Sequence, residues 1–231
     1  MSGLLGKKRI LITGASGGLG QAVVQAFLRE GAIVAGVARR WPKEERPQGI
    51  LTIEADVGTP DGAEAAVRAL VEPHGGIDAA VHLVGGFAMD GPVEATKVET
   101  WDRMMEVNAR SAFLVFRAAL PRMLEAGHGR LLAVGSRAGA EGAPGAAAYA
   151  VSKSALHALV LNLAAELRLK AITVNAVLPG TIDTPANRAA MPKADFTKWV
   201  APEAIADTLV WLASDQSAET SGALIPVYGR S

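Results

Sequence analysis

The sequence predicts a doubly wound α/β fold, a parallel sheet of about seven strands with helices on both faces, and three observations carry that prediction. Short runs rich in Val, Ile, Leu and Ala alternate with longer stretches of helical periodicity, the pattern of a sheet buried on both sides. A glycine-rich turn, T13-G-A-S-G-G-L-G20, separates the first apolar run from the first helical stretch. The chain has 231 residues, which suits one compact domain with a substantial core, and neither an internal repeat nor a low-complexity linker divides it. A single domain over 1–231 is therefore expected.

Taken in order, the apolar runs place strands near 8–13, 32–37, 50–54, 77–84, 129–135, 171–177 and 223–227. Helical spacing fills the gaps at about 19–30, 60–72, 97–125, 149–169 and 202–213. The stretch 97–125 is expected to hold two helices that meet at Asn108, a poor helix former. Pro42 and Pro47 bracket a polar loop at 41–49, too short for a domain boundary, and Pro179 with Gly180 ends the sixth strand. Right-handed crossovers then put any ligand at the carboxyl ends of the strands.

Composition narrows the function classes. Lys plus Arg and Asp plus Glu balance at 23 each, so no global field recruits nucleic acid or an anionic membrane. Cysteine is absent, which removes disulfides, thiol nucleophiles and Cys-based metal sites and suits a cytoplasmic protein. Lys7, Lys8 and Arg9 lie inside the first apolar run, and nothing reads as a signal peptide or as a span of roughly 18 apolar residues. The histidines at 74, 82, 128 and 157 show no metal-ligand spacing. His82 has apolar neighbours and reads as a satisfied core histidine. No metal is expected.

The glycine-rich turn has the residues a dinucleotide needs. Gly14, Gly18 and Gly20 remove side chains where the backbone turns, approaches a pyrophosphate and packs on the sheet, and helix amides face the phosphate charge. The spacing is TGxxxGxG without GK[ST], which excludes an ATP-type loop. At the end of the second strand, Ala38 stands where an acidic residue would select NAD, and Arg39 follows it. A guanidinium there holds a 2′-phosphate, so NADP(H) is favoured, with NAD(H) left open. An exposed cationic strand end, Arg39 with Arg40, is the plainer reading. Asp56 reads either as an acceptor for the adenine amino group or as an ordinary strand-end aspartate.

The reactive constellation lies further on. In Y149-A-V-S-K153 a phenol and an amine sit four apart on one helix face. A phenol titrates near pH 10 and needs a stabilised anion to exchange protons at neutral pH, which Lys153 can provide. Ser136 precedes Tyr149 by thirteen residues, after the fifth strand, and Asn108 lies upstream between two helices.

TGASGGLG, Asp56-Val57, Asn108, Ser136, YAVSK and N175-A-V-L-P-G-T181 occur in the order and spacing of the classical short-chain dehydrogenase/reductase family, which this chain resembles along essentially its whole length. The resemblance implies a Rossmann-type fold and an oxidoreductase acting on a carbonyl or alcohol. Tyr149 would then be the general acid and base, Ser136 would bond the substrate oxygen, and Lys153 would hold the nicotinamide ribose and lower the tyrosine pKa. Asn108 would anchor a water in the proton path. The cofactor contacts would come from Gly14, Ser16, Gly18, Leu19, Gly20, Arg39, Asp56, Val57 and Gly85, with Tyr149, Lys153, Pro179, Gly180, Thr181 and Thr184 at the nicotinamide end. The family's helices near 109–125 and 149–169 pair across two-fold axes, which implies a homodimer or homotetramer.

Two stretches depart from that family's pattern. H82-L-V-G85 replaces Asn-Asn-Ala-Gly, and V227-Y-G-R-S231 replaces an ending in Asp-Gly-Gly. The segment 182–199, expected with 200 to be a short substrate lid, resembles dihydropteridine reductases in its Asp-Thr-Pro-x-Asn-Arg and Met-Pro-x-Ala-Asp-Phe patterns. Ala38 and Ser136 pull away from that branch. A quinonoid dihydropterin is thus the alternative substrate, and a non-catalytic NADP-sensing protein the alternative of another class. For Asn187, Arg188, Asp195 and Trp199 two roles stand open: contact with substrate, or capping and tethering of the lid.

Overall fold

A computed structural model describes residues 3–41 and 47–230. Part of the polar loop at 41–49, with Pro42, and the terminal Ser231 lie outside the described residues. Seven parallel strands form one sheet: β1 (Arg9–Thr13), β2 (Ile33–Ala38), β3 (Leu51–Glu54), β4 (Ala79–His82), β5 (His128–Val134), β6 (Ala171–Pro179) and β7 (Leu224–Val227). Their order is β3-β2-β1-β4-β5-β6-β7, so the chain reverses its direction of travel between β1 and β4. That switch point opens a crevice at the carboxyl ends of the strands.

Alternation along β1 shows how the layers form. Leu11 packs with Leu70, Phe116, Leu156 and Val160 on one face. Ile10 and Ile12 pack with Val24, Phe27, Ile205 and Leu209 on the other. The first face is covered by α2 (Pro60–His74), α4 (Ser111–Ala126) and α6 (Ala147–Glu166), the second by α1 (Gly18–Arg29) and α8 (Pro202–Ala213). Local chemistry sets the helix ends. Thr59 accepts from the Gly62 amide at 3.1 Å ahead of Pro60, and Gly75 and Gly127 end α2 and α4 in the left-handed region.

The two expected helices at 97–125 do meet around Asn108, and they meet without a break. The path runs from α3 (Val98–Met105) through a π-helical turn (Glu106–Arg110) into α4, with helical backbone throughout. A π turn inserts one residue and interrupts the regular hydrogen-bond ladder, which re-aims the side chain it carries. Two short helices, α5 (Arg137–Glu141) and α7 (Pro185–Ala190), fall in stretches too brief for periodicity to reveal. β6 continues through Pro179 rather than stopping at Val177.

Candidate active site

The carboxyl ends of β1 to β4 border a cleft of about 800 Å³. Gly14 and Ser16 line it after β1, Ala38 and Arg39 at the end of β2, Asp56 and Val57 after β3, and Gly85 with Phe87 after β4. Gly14 has φ 70°, a conformation that suits glycine, and no side chain caps the start of α1. The first amides of α1 therefore keep their partial positive charge for an anion. Gly20 answers to packing: a Cβ there would lie 2.2 Å from the Gly14 carbonyl oxygen. Gly18 and Leu19 likewise shape the turn from outside the cleft lining, Gly18 against the Thr184 side chain and Leu19 against the core. Asp56 accepts from the Gly58 amide at 3.0 Å, which fixes its carboxylate beside the cleft. An uncapped helix start, a left-handed glycine, Arg39 and Asp56 along one cleft fit a dinucleotide.

Ser136 caps α5, accepting from the Ala138 amide at 3.2 Å, and its side chain lies near enough to Tyr149 to favour the phenolate. Burial pushes the Tyr149 pKa up, while the neighbouring Ser136 side chain opposes that shift. Lys153 is buried, and its Nζ donates to the Val134 carbonyl at 2.9 Å. Burial lowers its pKa to about 8. The expected depression of the tyrosine pKa by Lys153 is not found in the protein alone, because burial dominates and the ammonium is directed to the end of β5. The two groups nonetheless converge. A Cβ on Gly85 would meet Asn108 Oδ1 at 3.0 Å and Lys153 Nζ at 3.2 Å, so this glycine marks where the cleft and the reactive side chains touch.

Asn108 is fully buried, and its amide is spoken for within the protein. Nδ2 donates to the Gly86 carbonyl and to Ser152 Oγ, both at 3.0 Å, and Oδ1 accepts from the Gly86 amide at 2.9 Å. Ser152 in turn donates to the Tyr149 carbonyl at 2.7 Å. Ser152 and Gly86 were not singled out in the sequence, since one is a variable position of YxxxK and the other a loop glycine. Phe87 was missed too. Its ring meets that of Tyr149 edge-on at 4.9 Å, yet it stands alone in a loop where no periodicity marks it.

The histidine reading holds. His82 is 1% exposed, with Thr13 Oγ1 3.0 Å from Nδ1 and Ser111 Oγ 3.0 Å from Nε2. Ser111 gives its one proton to the Val107 carbonyl at 2.7 Å, so it accepts from His82 Nε2, and Nδ1 accepts from Thr13. Burial, then the charge of Lys153, lowers the His82 pKa to about 3. The imidazole thus joins the end of β1 to the π turn. Among the described residues no group of three or more His, Asp or Glu side chains could hold a metal ion.

The segment 182–200, expected to be a lid, is pinned at its neck. Ile182 and Val200 form a parallel bridge, the Val200 amide donates to the Thr181 carbonyl at 2.8 Å, and the Asp183 amide donates to the Val200 carbonyl at 2.8 Å. Asn187 donates to the Ile182 carbonyl at 2.8 Å, Asp195 accepts from Thr197, and Trp199 packs on Phe196 at 4.7 Å. Arg188 bonds both carboxylate oxygens of Asp183 and lies 4.7 Å over the Phe196 ring. The contacts of these four residues lie within the segment 182–200 and tether it. Thr184 caps α7 through the Asn187 amide at 3.3 Å and packs on Gly18, so the lid touches the glycine-rich turn directly. Pro179, Gly180 and Thr181 lead from β6 into that neck, outside the lining of the cleft.

Comparison with known proteins agrees with this arrangement. The family model described as enoyl-(acyl carrier protein) reductase matches residues 14–229. The chain is 34% identical to 2-(S)-hydroxypropyl-CoM dehydrogenase 3 of Xanthobacter autotrophicus, over 99% of this chain and 98% of that protein. It is 31% identical to the 3-oxoacyl-[acyl-carrier-protein] reductase FabG of Thermotoga maritima, over 96% of both. A short-chain type dehydrogenase/reductase from Mycobacterium ulcerans superposes with a TM-score of 0.91 at 27% identity, over 97% of this chain and 90% of that one. With a matching family model, relatives along its full length and a shared seven-stranded architecture, this chain belongs to the short-chain dehydrogenase/reductase family of NAD(P)-dependent oxidoreductases.

Proposed function

We propose that the protein prefers NADP(H) and interconverts a carbonyl and an alcohol through Tyr149, Ser136, Lys153 and Asn108. The observation that carries this reading is the convergence at Gly85, where Asn108 and Lys153 approach the cleft, with Tyr149 on the same helix as Lys153 and Ser136 beside Tyr149. Arg39 in the cleft, beside an alanine in place of an acidic residue, supports the choice of NADP(H).

The bound cofactor supplies or receives the hydride. Tyr149, held neutral by burial, gives its proton to the carbonyl oxygen during reduction. Ser136 donates to the same oxygen and fixes its position. Lys153 holds the ribose hydroxyls and, once drawn toward the cleft, adds positive charge beside the phenol. The Asn108 amide is committed to Gly86 and Ser152, so this side chain acts by holding the loop after β4 against the helix that carries Tyr149 and Lys153.

Relatives named for 3-oxoacyl and 2-hydroxypropyl groups support an oxo or secondary-alcohol substrate. The test follows NADPH and NADH consumption against ethyl acetoacetate, a panel of aldehydes, ketones and quinones, and quinonoid dihydropterin. A carbonyl responder is expected, with Tyr149→Phe losing at least about 1000-fold in kcat while NADPH still binds. Turnover unchanged in that variant refutes the mechanism, binding of NADPH with no turnover of any compound favours a sensing role, and a response to the dihydropterin alone favours the pterin reading.

A further inference from the structure

Resting on this reading of Ser136, we infer that His157 is a positioning residue, holding the Ser136 backbone so that its hydroxyl faces Tyr149. The Ser136 amide donates to His157 Nε2 at 3.3 Å. Both residues are buried, so the bond has little competition from water, and its loss would leave an amide without a partner. Tyr149, Lys153 and His157 fall at i, i+4 and i+8 of α6, one stripe of that helix. The stripe presents acid, ammonium and imidazole to the loop that follows β5.

That loop is shaped around the ring. A Cβ on Gly135 would lie 2.4 Å from His157 Nε2, and one on Gly139 would lie 2.7 Å from His157 Cε1. Glycine on both sides of Ser136 leaves the slot that the imidazole fills. The rest of the loop is fixed independently: the Gly135 amide donates to the Val177 carbonyl at 2.8 Å, and the Gly139 amide to the Ser136 carbonyl at 3.1 Å. Between them the Ala138 amide donates to Ser136 Oγ at 3.2 Å, and the Ser136 amide itself goes to His157. Accepting at Nε2 requires a neutral ring protonated at Nδ1. Burial and the nearby charge of Lys153 keep it neutral, lowering its pKa to about 4.

The test uses ethyl acetoacetate with NADPH. His157→Leu is expected to lower kcat about 10- to 100-fold, the loss of one buried hydrogen bond, with the KM for NADPH unchanged. His157→Gln, whose carbonyl can accept, is expected to restore most of kcat. In a Ser136→Ala background His157→Leu should cost less than about threefold more, because a residue acting through Ser136 has nothing left to act on. Losses that multiply, or a folded His157→Gln as slow as His157→Leu, overturn the proposal. His157→Met replaces His157→Leu if that variant does not fold. Long-range nitrogen-15 spectra with NADPH bound give a readout independent of turnover: a ring protonated at Nδ1 is expected, and one protonated at Nε2 overturns the proposal. A wild type that reduces no carbonyl refutes the proposed function, and the spectra then decide the His157 bond alone.

Discussion

Lowering the pH from 7 to 5 is expected to remove about 2 kcal/mol of folding stability through His82 alone. An unfolded imidazole titrates at 6.5, whereas burial, joined by the charge of Lys153, holds the folded one to about 3. The native ring therefore stays neutral while the unfolded ring takes up a proton below pH 6.5. Its stability contribution is full above 6.5 and is lost as pH falls toward 3, by about 5 kcal/mol over the whole window at about 1.4 kcal/mol per unit. Between pH 7 and 5 the unfolded chain gains about 1.4 units of that preference, which gives the 2 kcal/mol. Carboxylates do not intrude, since Asp78, though desolvated, is held below its ordinary value by Arg9 and His128 and acts only at lower pH. The assay is urea unfolding at pH 7, 6 and 5 for the wild type and His82→Asn, which cannot titrate. The variant starts less stable, but its pH dependence should be shallower by about 2 kcal/mol. An identical pH dependence in the two proteins refutes the assignment of a buried, neutral His82.

Arg39→Asp should move the ratio of kcat/KM values for NADPH over NADH by about 10- to 100-fold toward NADH, and an unchanged ratio would show that Arg39 does not read the 2′-phosphate. Gly20→Ala places a methyl 2.2 Å from the Gly14 carbonyl, so a loss of about 3 kcal/mol or more is expected in unfolding, together with weaker NADPH binding by fluorescence titration. Alcohol oxidation should climb with pH into the alkaline range while carbonyl reduction does not, because burial raises the Tyr149 pKa; parallel profiles in both directions would contradict that role. Phe113 on α4 and Leu161 on α6 are 48% and 46% exposed, a pair of apolar faces that assembly as a homodimer or homotetramer would cover. Light scattering should find such an assembly, and Phe113→Asp should reduce the mass.

The sheet was legible because each strand is an apolar run bounded by a turn, and burial on both faces leaves no other home for such runs. YAVSK and Ser136 were legible because spacing along one helix and one strand end is a property of sequence. What escaped was contact between segments. Nothing in H82-L-V-G85 announces that the imidazole bridges Thr13 and Ser111, residues far apart in the chain. Asn108 was legible as the meeting point of two helices, but the π turn that joins them was not, because a poor helix former marks a junction without saying how the backbone passes through it. His157 and Ser152 sit in a helix so uniformly apolar and small that one polar residue more carries no signal.

The carboxyl-terminal departure from the family's pattern is tied to the segment 182–200. Tyr228, in place of the usual carboxyl-terminal acid, lies 5.5 Å from the Arg137 guanidinium, the residue next to Ser136. Gly229 passes so close to Lys198 that a Cβ would lie 2.9 Å from its carbonyl oxygen, and the Arg230 amide donates to that same oxygen at 3.0 Å. The tail thus touches both the far end of the segment 182–200 and the loop that carries Ser136. The segment 182–200 holds one short α-helix and one 3₁₀ turn, and the Asp183–Arg188 pair is worth little alone. The neck bridge and the tail supply the missing constraint. Their hydrogen bonds form on folding, so the entropy cost of ordering the segment 182–200 is already met in the folded protein.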